Sequence, residues 1–220
     1  MKSFCLVLAF FSFSFLLRAQ SACPPFWSDI QQFKKSDSVQ MPPPQAILFV
    51  GSSSFTKWKD VQDYFPGYTI INRGFGGSQL TDVIRYAYDV ILPYKPKQVV
   101  IYCGENDMAS GPSITANDVV LRFETLFGII RQNLPDATID FVSLKPSPSR
   151  QRLFPGFKQV NEEVRKFLKK QKHAGFINVY DAMLGTDGNP RKEIFLDDML
   201  HMKPGGYQIW QKIIQPYLLK

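Results

Sequence analysis

A chain of 220 residues, 45% hydrophobic and 20% charged, has the composition of one globular domain with a real core, which excludes the disordered and fibrous classes. The formal charge is +7, densest in "VRKFLKKQKH" (164–173), where basic and apolar residues alternate at helical spacing. That pattern reads as a solvated helix face, and with no basic stripe interleaved with aromatics it argues against a nucleic-acid partner. Three cysteines are too few for a disulfide scaffold, and no Cys/His cluster has zinc spacing, so neither a metal nor another cofactor is expected.

At the N-terminus, "MKSFCLVLAFFSFSFLLRAQSAC" has Lys2 in front, an apolar run from Phe4 to Leu17, and small residues after it. This is the pattern of a secretory signal peptide, too short for a bilayer span and stopped by Arg18. Its removal lowers the charge by two, to +5, through loss of Lys2 and Arg18. A periplasmic or secreted protein is expected. Ser21-Ala22-Cys23 also resembles the end of a bacterial lipoprotein box, with Gln20 where an aliphatic residue is usual, so a form lipidated at Cys23 is the less favoured alternative. The expected organisation is a signal peptide over 1–22, an irregular Pro-rich lead over 23–45 ending in "MPPPQ", and one domain over 46–220. Oligomeric state leaves no mark in the sequence.

Within that domain short apolar runs predict strands over 46–50, 69–73, 98–104, 138–144 and 176–181. Amphipathic stretches predict helices over 56–64, 80–92, 116–133 and 157–173, and "PGGYQIWQKIIQPYLLK" predicts a last one opened by Pro204. Strand alternating with helix implies a parallel sheet covered on both faces, a three-layer α/β/α sandwich around five strands. Ligands in such folds sit beyond the carboxyl ends of the strands. Cys103, inside "QVVIYCG", reads as a buried small hydrophobe.

Four segments stand at strand ends: Gly51-Ser52-Ser53-Ser54, "NRGFGGS" (72–78), "GENDMA" (104–109) and "LDDMLHMKPGGY" (196–207). Taken singly, the serines fit a helix cap, Asn106-Asp107 a turn, and Asp198 with His201 a surface pair. The glycines lack dinucleotide-fingerprint spacing, because Gln79 stands where the third would fall. Acyl transfer, however, needs a hydroxyl nucleophile, a base, a carboxylate to orient that base, and donors for an oxyanion, and the four segments supply all of them together. Only His173 and His201 are available as bases, and His173 belongs to the lysine-rich helix. Asp197, four residues before His201, competes geometrically with Asp198 as the orienting carboxylate.

In this ordered combination, from about Ala46 to the C-terminus, the chain resembles the SGNH, or GDSL-like, hydrolase family, named for Ser, Gly, Asn and His in four successive blocks. The resemblance implies a flavodoxin-like fold, Ser53 as nucleophile, Asp198 and His201 as its catalytic partners, and an oxyanion hole from Ser53, Gly77 and Asn106. Ser52 stands where the family's first block has Asp. "KPSPSR" (145–150) and "GENDMA" look like a bacterial subgroup that carries Ser there, and altered loop ordering or substrate preference is expected from the change. Ser54 is left as a turn or capping residue. The function implied is an esterase acting on a small-molecule or glycan acyl ester, short-chain or acetyl groups being favoured because so compact a chain leaves little room for a lid or acyl tunnel. A lysophospholipase or thioesterase is the alternative. A non-catalytic glycan-binding protein is disfavoured, since a binder has no need of nucleophile, base and orienter together. Arg73, Glu105, Met108 and Arg150 occupy loops where they either line the pocket or hold those loops in place.

Overall fold

Five parallel strands in the order β2-β1-β3-β4-β5 form the middle layer of a computed structural model that describes residues 23–220; the expected signal peptide, 1–22, lies outside the described residues. The strands are β1 (Ile47–Gly51), β2 (Ile70–Gly74), β3 (Gln98–Tyr102), β4 (Thr138–Val142) and β5 (Ala174–Ile177). Every residue of β1 and β3 is buried, as central parallel strands covered on both sides require. Period-two alternation divides them: Leu48, Val50, Val99 and Ile101 face one core, Ile47, Phe49, Val100 and Tyr102 the other.

The first core is closed by α1 (Trp27–Val39), α4 (Leu80–Arg85), α5 (Ala87–Val90), α7 (Ala116–Asn133) and α8 (Phe154–Leu168). The second is closed by α2 (Ser53–Thr56), α3 (Val61–Tyr64) and α9 (Pro204–Ile214), with Trp58 and Trp210 fully buried. A further short helix, α6 (Glu105–Ala109), follows β3. The expected three-layer α/β/α sandwich and its flavodoxin-like order are therefore observed. Helix α7 matches its expected span, opened by a capping box in which Thr115 and Asp118 satisfy each other's backbone N–H.

Other boundaries moved for identifiable reasons. The helix expected over 56–64 is two short pieces, because Asn72 Nδ2 of β2 donates to the carbonyls of Phe55 and Trp58, diverting them from a continuous helix. The helix expected over 80–92 breaks at Tyr86, whose backbone leaves helical values and whose hydroxyl donates to Pro25 O. The last strand lies earlier than its expected 176–181: helix α8 ends at Leu168, and beyond Ile177 the N–H groups of Val179 and Tyr180 donate to Ser143 Oγ instead of a ladder carbonyl.

The largest correction concerns the lead over 23–45, which holds the 13-residue helix α1. Ile30 is buried in the first core and Phe33 packs against it. Arg73 pins the helix, its guanidinium lying over the rings of Phe33 and Tyr94 while bonding the Asp37 carboxylate and the Tyr94 hydroxyl. Burial first, and then the bond to Asp37, push the Tyr94 phenol up to about 12. No helix among the described residues is long and apolar enough to cross a membrane.

Candidate active site

The strand order reverses between β1 and β3, so the crevice beyond their carboxyl ends receives Ser53 from one side and Asn106 from the other. Gly51 makes the approach: its φ is +138°, and a Cβ there would stand 2.0 Å from Tyr102 O, which only glycine avoids. Ser52 stays extended with its N–H on Tyr102 O, and Ser53 then opens α2. As the first helical residue, Ser53 has no carbonyl one turn back to receive its N–H.

The 195–203 loop folds onto this corner. Phe195 and Met202 form an antiparallel bridge, Leu196 N–H donates to His201 O, and Met199 takes a left-handed φ of +53° at the turn. Asp198 Oδ1 accepts the N–H groups of Leu200 and His201, and its Oδ2 lies 2.6 Å from His201 Nδ1. His201 Nε2 lies 3.0 Å from Ser53 Oγ. The tautomer that satisfies both contacts carries its proton on Nδ1 and leaves Nε2 free to accept from Ser53. Burial works to raise the Asp198 carboxyl, but the His201 and Leu200 bonds outweigh it and hold the group down to about 2. Both Asp197 and Asp198 are exposed, and the contact to the imidazole is made by Asp198.

Gly77 has φ +90°, a conformation that favours glycine, and no protein group among the described residues accepts its N–H. Asn106 Nδ2 donates to Ser52 Oγ at 2.7 Å and to Ser78 O at 3.1 Å. The departure at Ser52 thus acts directly on Asn106, a neutral hydroxyl receiving one of its two hydrogens. Ser54 caps nothing: it is buried inside α2, and its carbonyl takes the Tyr207 hydroxyl of α9.

None of the four residues expected in loops lies in one: Arg73, in β2, anchors α1 as described above, and Arg150 is in a short helical turn. Glu105 and Met108 are in α6, where Glu105 forms a buried pair with Lys145, whose Nζ also reaches the Tyr102 hydroxyl. Met108 packs so closely on α8 that a Cβ at Gly156 would come within 2.2 Å of its methyl. Arg150 has a buried Nε with no partner among the described residues, and beside it Ser149 N–H supports the turn by donating to Met199 O. Sequence reasoning took Asp107 only as a turn residue beside Asn106 and did not single out Arg122 or Lys145. Asp107 is fully buried, accepts from Leu80 N–H and pairs with Arg122 at 2.8 Å. Asn106 therefore stands between two buried ion pairs that tie α6 to neighbouring elements. Its signal was the acidic pair flanking the asparagine, which is legible only once partners 15 and 40 residues away are known. No three His, Cys, Asp or Glu side chains among the described residues gather as a metal site would require.

The chain belongs to the GDSL-like lipase/acylhydrolase family, whose sequence profile matches residues 48–209. It is therefore of a hydrolase and esterase class. The fold is shared with a Streptococcus pneumonia protein named for platelet activating factor, at 20% identity and TM-score 0.76 over 87% of this chain and 92% of that one. It is shared too with a GDSL-like lipase from Bacteroides thetaiotaomicron, at 18% and 0.73 over 86% and 96%. A catalytic mutant of an acetylxylan esterase from Geobacillus stearothermophilus matches at 13% and 0.63 over 80% and 94%. A search of curated protein sequences finds no significant match.

Proposed function

We propose that the protein is an exported serine esterase that cleaves short acyl esters, acetylated carbohydrates foremost, through an acyl-Ser53 intermediate. The observation that carries this reading is the continuous hydrogen-bonded line from Ser53 Oγ through His201 to Asp198. Ser53 Oγ attacks the ester carbonyl while His201 Nε2 takes its proton, and the ionised Asp198 stabilises the imidazolium. The developing oxyanion takes the N–H groups of Ser53 and Gly77, and competes with Ser52 for a hydrogen of Asn106. A negative oxygen is roughly twice as strong an acceptor as a neutral hydroxyl, so this exchange favours the transition state. His201 then returns the proton to the departing alkoxide, and water, deprotonated by the same nitrogen, releases the acid from Ser53.

Short acyl groups are favoured by the compactness of the chain, and the fold shared with an acetylxylan esterase agrees. Export is supported by the apolar run from Phe4 to Leu17 behind Lys2. A serine-reactive fluorophosphonate should label the wild type and not Ser53→Ala; equal labelling of both would falsify the nucleophile assignment. Asp198→Asn should lower kcat by about 10²–10⁴-fold, since the imidazole loses the partner that holds its tautomer. With p-nitrophenyl esters acetate should outrun octanoate, and the reverse order would favour the lysophospholipase or thioesterase reading. Mass spectrometry of the mature chain tests export, with a diacylglyceryl group on Cys23 marking the lipoprotein route.

A further inference from the structure

The residues just ahead of α1 lie against the oxyanion corner. The space that a side chain at Gly77 would fill is bounded by the ring of Phe26, whose Cε1 and Cζ lie 3.9 Å from a Cβ built there, while a Cβ at Gly76 would lie 3.8 Å from Ser53 Cβ. One glycine therefore separates the Phe26 ring from the Ser53 side of the loop. Phe26 itself has φ +64°, a left-handed conformation that a bulky aromatic residue adopts only when its surroundings compel it. The compulsion is visible: Trp27 N–H donates to Pro24 O, the Tyr86 hydroxyl to Pro25 O at 2.7 Å, and the ring meets Phe75 edge-on at 5.4 Å. Four side chains of α1 hold the segment from behind, through the Asp37–Arg73 and Lys34–Asp89 ion pairs and the burial of Ile30 and Phe33.

We infer that Phe26 is a specificity-determining wall of the acyl side of the cleft, which limits the length of the acyl group accepted. This inference rests on Ser53 being the nucleophile. Around the tetrahedral carbon on Ser53 Oγ, the oxyanion faces the Gly77 N–H and the leaving oxygen faces His201 Nε2, which must protonate it. The acyl substituent takes the remaining direction, away from His201 and along the Gly76–Gly77 segment. Neither glycine carries a side chain to meet it; Thr56 flanks the path at Gly76, 3.8 Å from a Cβ built there, and the Phe26 ring bounds it at Gly77. Packing against the first core and Phe75 holds the ring in that strained position, so it stands as a fixed wall beside Gly77.

The test compares kcat/KM for p-nitrophenyl acetate, butyrate and octanoate, which share a leaving group and differ only on the acyl side. Phe26→Gly removes the ring and suits the left-handed backbone; its octanoate-to-acetate ratio should rise at least fivefold over wild type, and a smaller rise overturns the inference. Phe26→Trp should lower butyrate relative to acetate at least threefold, and a ratio closer to wild type counts against it; this second variant also decides the matter if Phe26→Gly does not fold. Fluorophosphonate labelling separates the two levels. Labelled protein with unmoved chain-length ratios removes the role of Phe26 alone, whereas absence of labelling in the wild type removes the nucleophile on which it rests.

Discussion

At the carboxyl end of the sheet Glu105 meets Lys145 Nζ at 2.9 Å and Asp107 meets Arg122 Nη1 at 2.8 Å, whereas at the amino end Asp140 of β4 has the amide of Gln98 at 2.6 Å. All three carboxylates are buried, but only the first two have a cation. The consequence is chemical. Burial pushes Asp140 up to about 6, with the Gln98 bond only partly opposing it. Burial also raises Asp107, against the Arg122 and Leu80 bonds that lower it. An interior end that only has to hold together tolerates a carboxyl with an amide partner and no cation. The end that must fix Asn106 beside Ser52 uses ion pairs, which are directional and lock α6 from both sides.

The comparison is broken most strongly by Lys145→Met. It strands Glu105 as a buried charge and should cost about 3–5 kcal/mol in urea unfolding at pH 7, with much of the loss recovered by adding Glu105→Gln. Next comes Asp140→Asn, whose effect has the opposite sign. The folded chain holds the Asp140 proton more tightly than the unfolded chain, where the group titrates near 4. Its contribution to stability is thus fully present below about pH 4 and is lost as pH rises through about 6. Between pH 4 and 8 the wild type should lose about 2–3 kcal/mol relative to Asp140→Asn, and parallel stability curves would show that Asp140 is not so perturbed.

Smaller effects sharpen the contrast. Ser52→Ala removes the neutral acceptor from which the oxyanion must win an Asn106 hydrogen, a bond worth about 1 kcal/mol, while Ser78 O still holds the amide, and should raise kcat up to about fivefold in steady-state assays while KM moves less than twofold. Asp198 is 47% exposed, so in contrast to Glu105 it contributes little to the fold. Asp198→Asn should cost only about 1 kcal/mol in urea unfolding at pH 7, far less than Lys145→Met, despite its large effect on turnover.

Much of this arrangement was legible beforehand where it depends on neighbours along the chain. Apolar runs of four or five residues alternating with amphipathic stretches define a parallel sheet with helices on both faces, because side-chain periodicity follows from local geometry. The chain order of Ser53, Gly77, Asn106, Asp198 and His201 pointed to acyl transfer, and Asp198 and His201 are close enough in sequence for one turn to join them. Distant partners decided the rest. Nothing local announces that Asn72 interrupts the helix after Ser53, that Ser143 ends β5, or that Arg122 and Lys145 balance the acids around Asn106. Helix α1 was hidden in the same way, since Ile30 and Phe33 are too few to announce a buried face until β2 and its Arg73 are brought beside them. Local pattern selects elements because it is a property of each segment. Which side chain satisfies a buried charge, or stands beside the Gly77 backbone, is a property of segments far apart in sequence, and it exists only after they have packed.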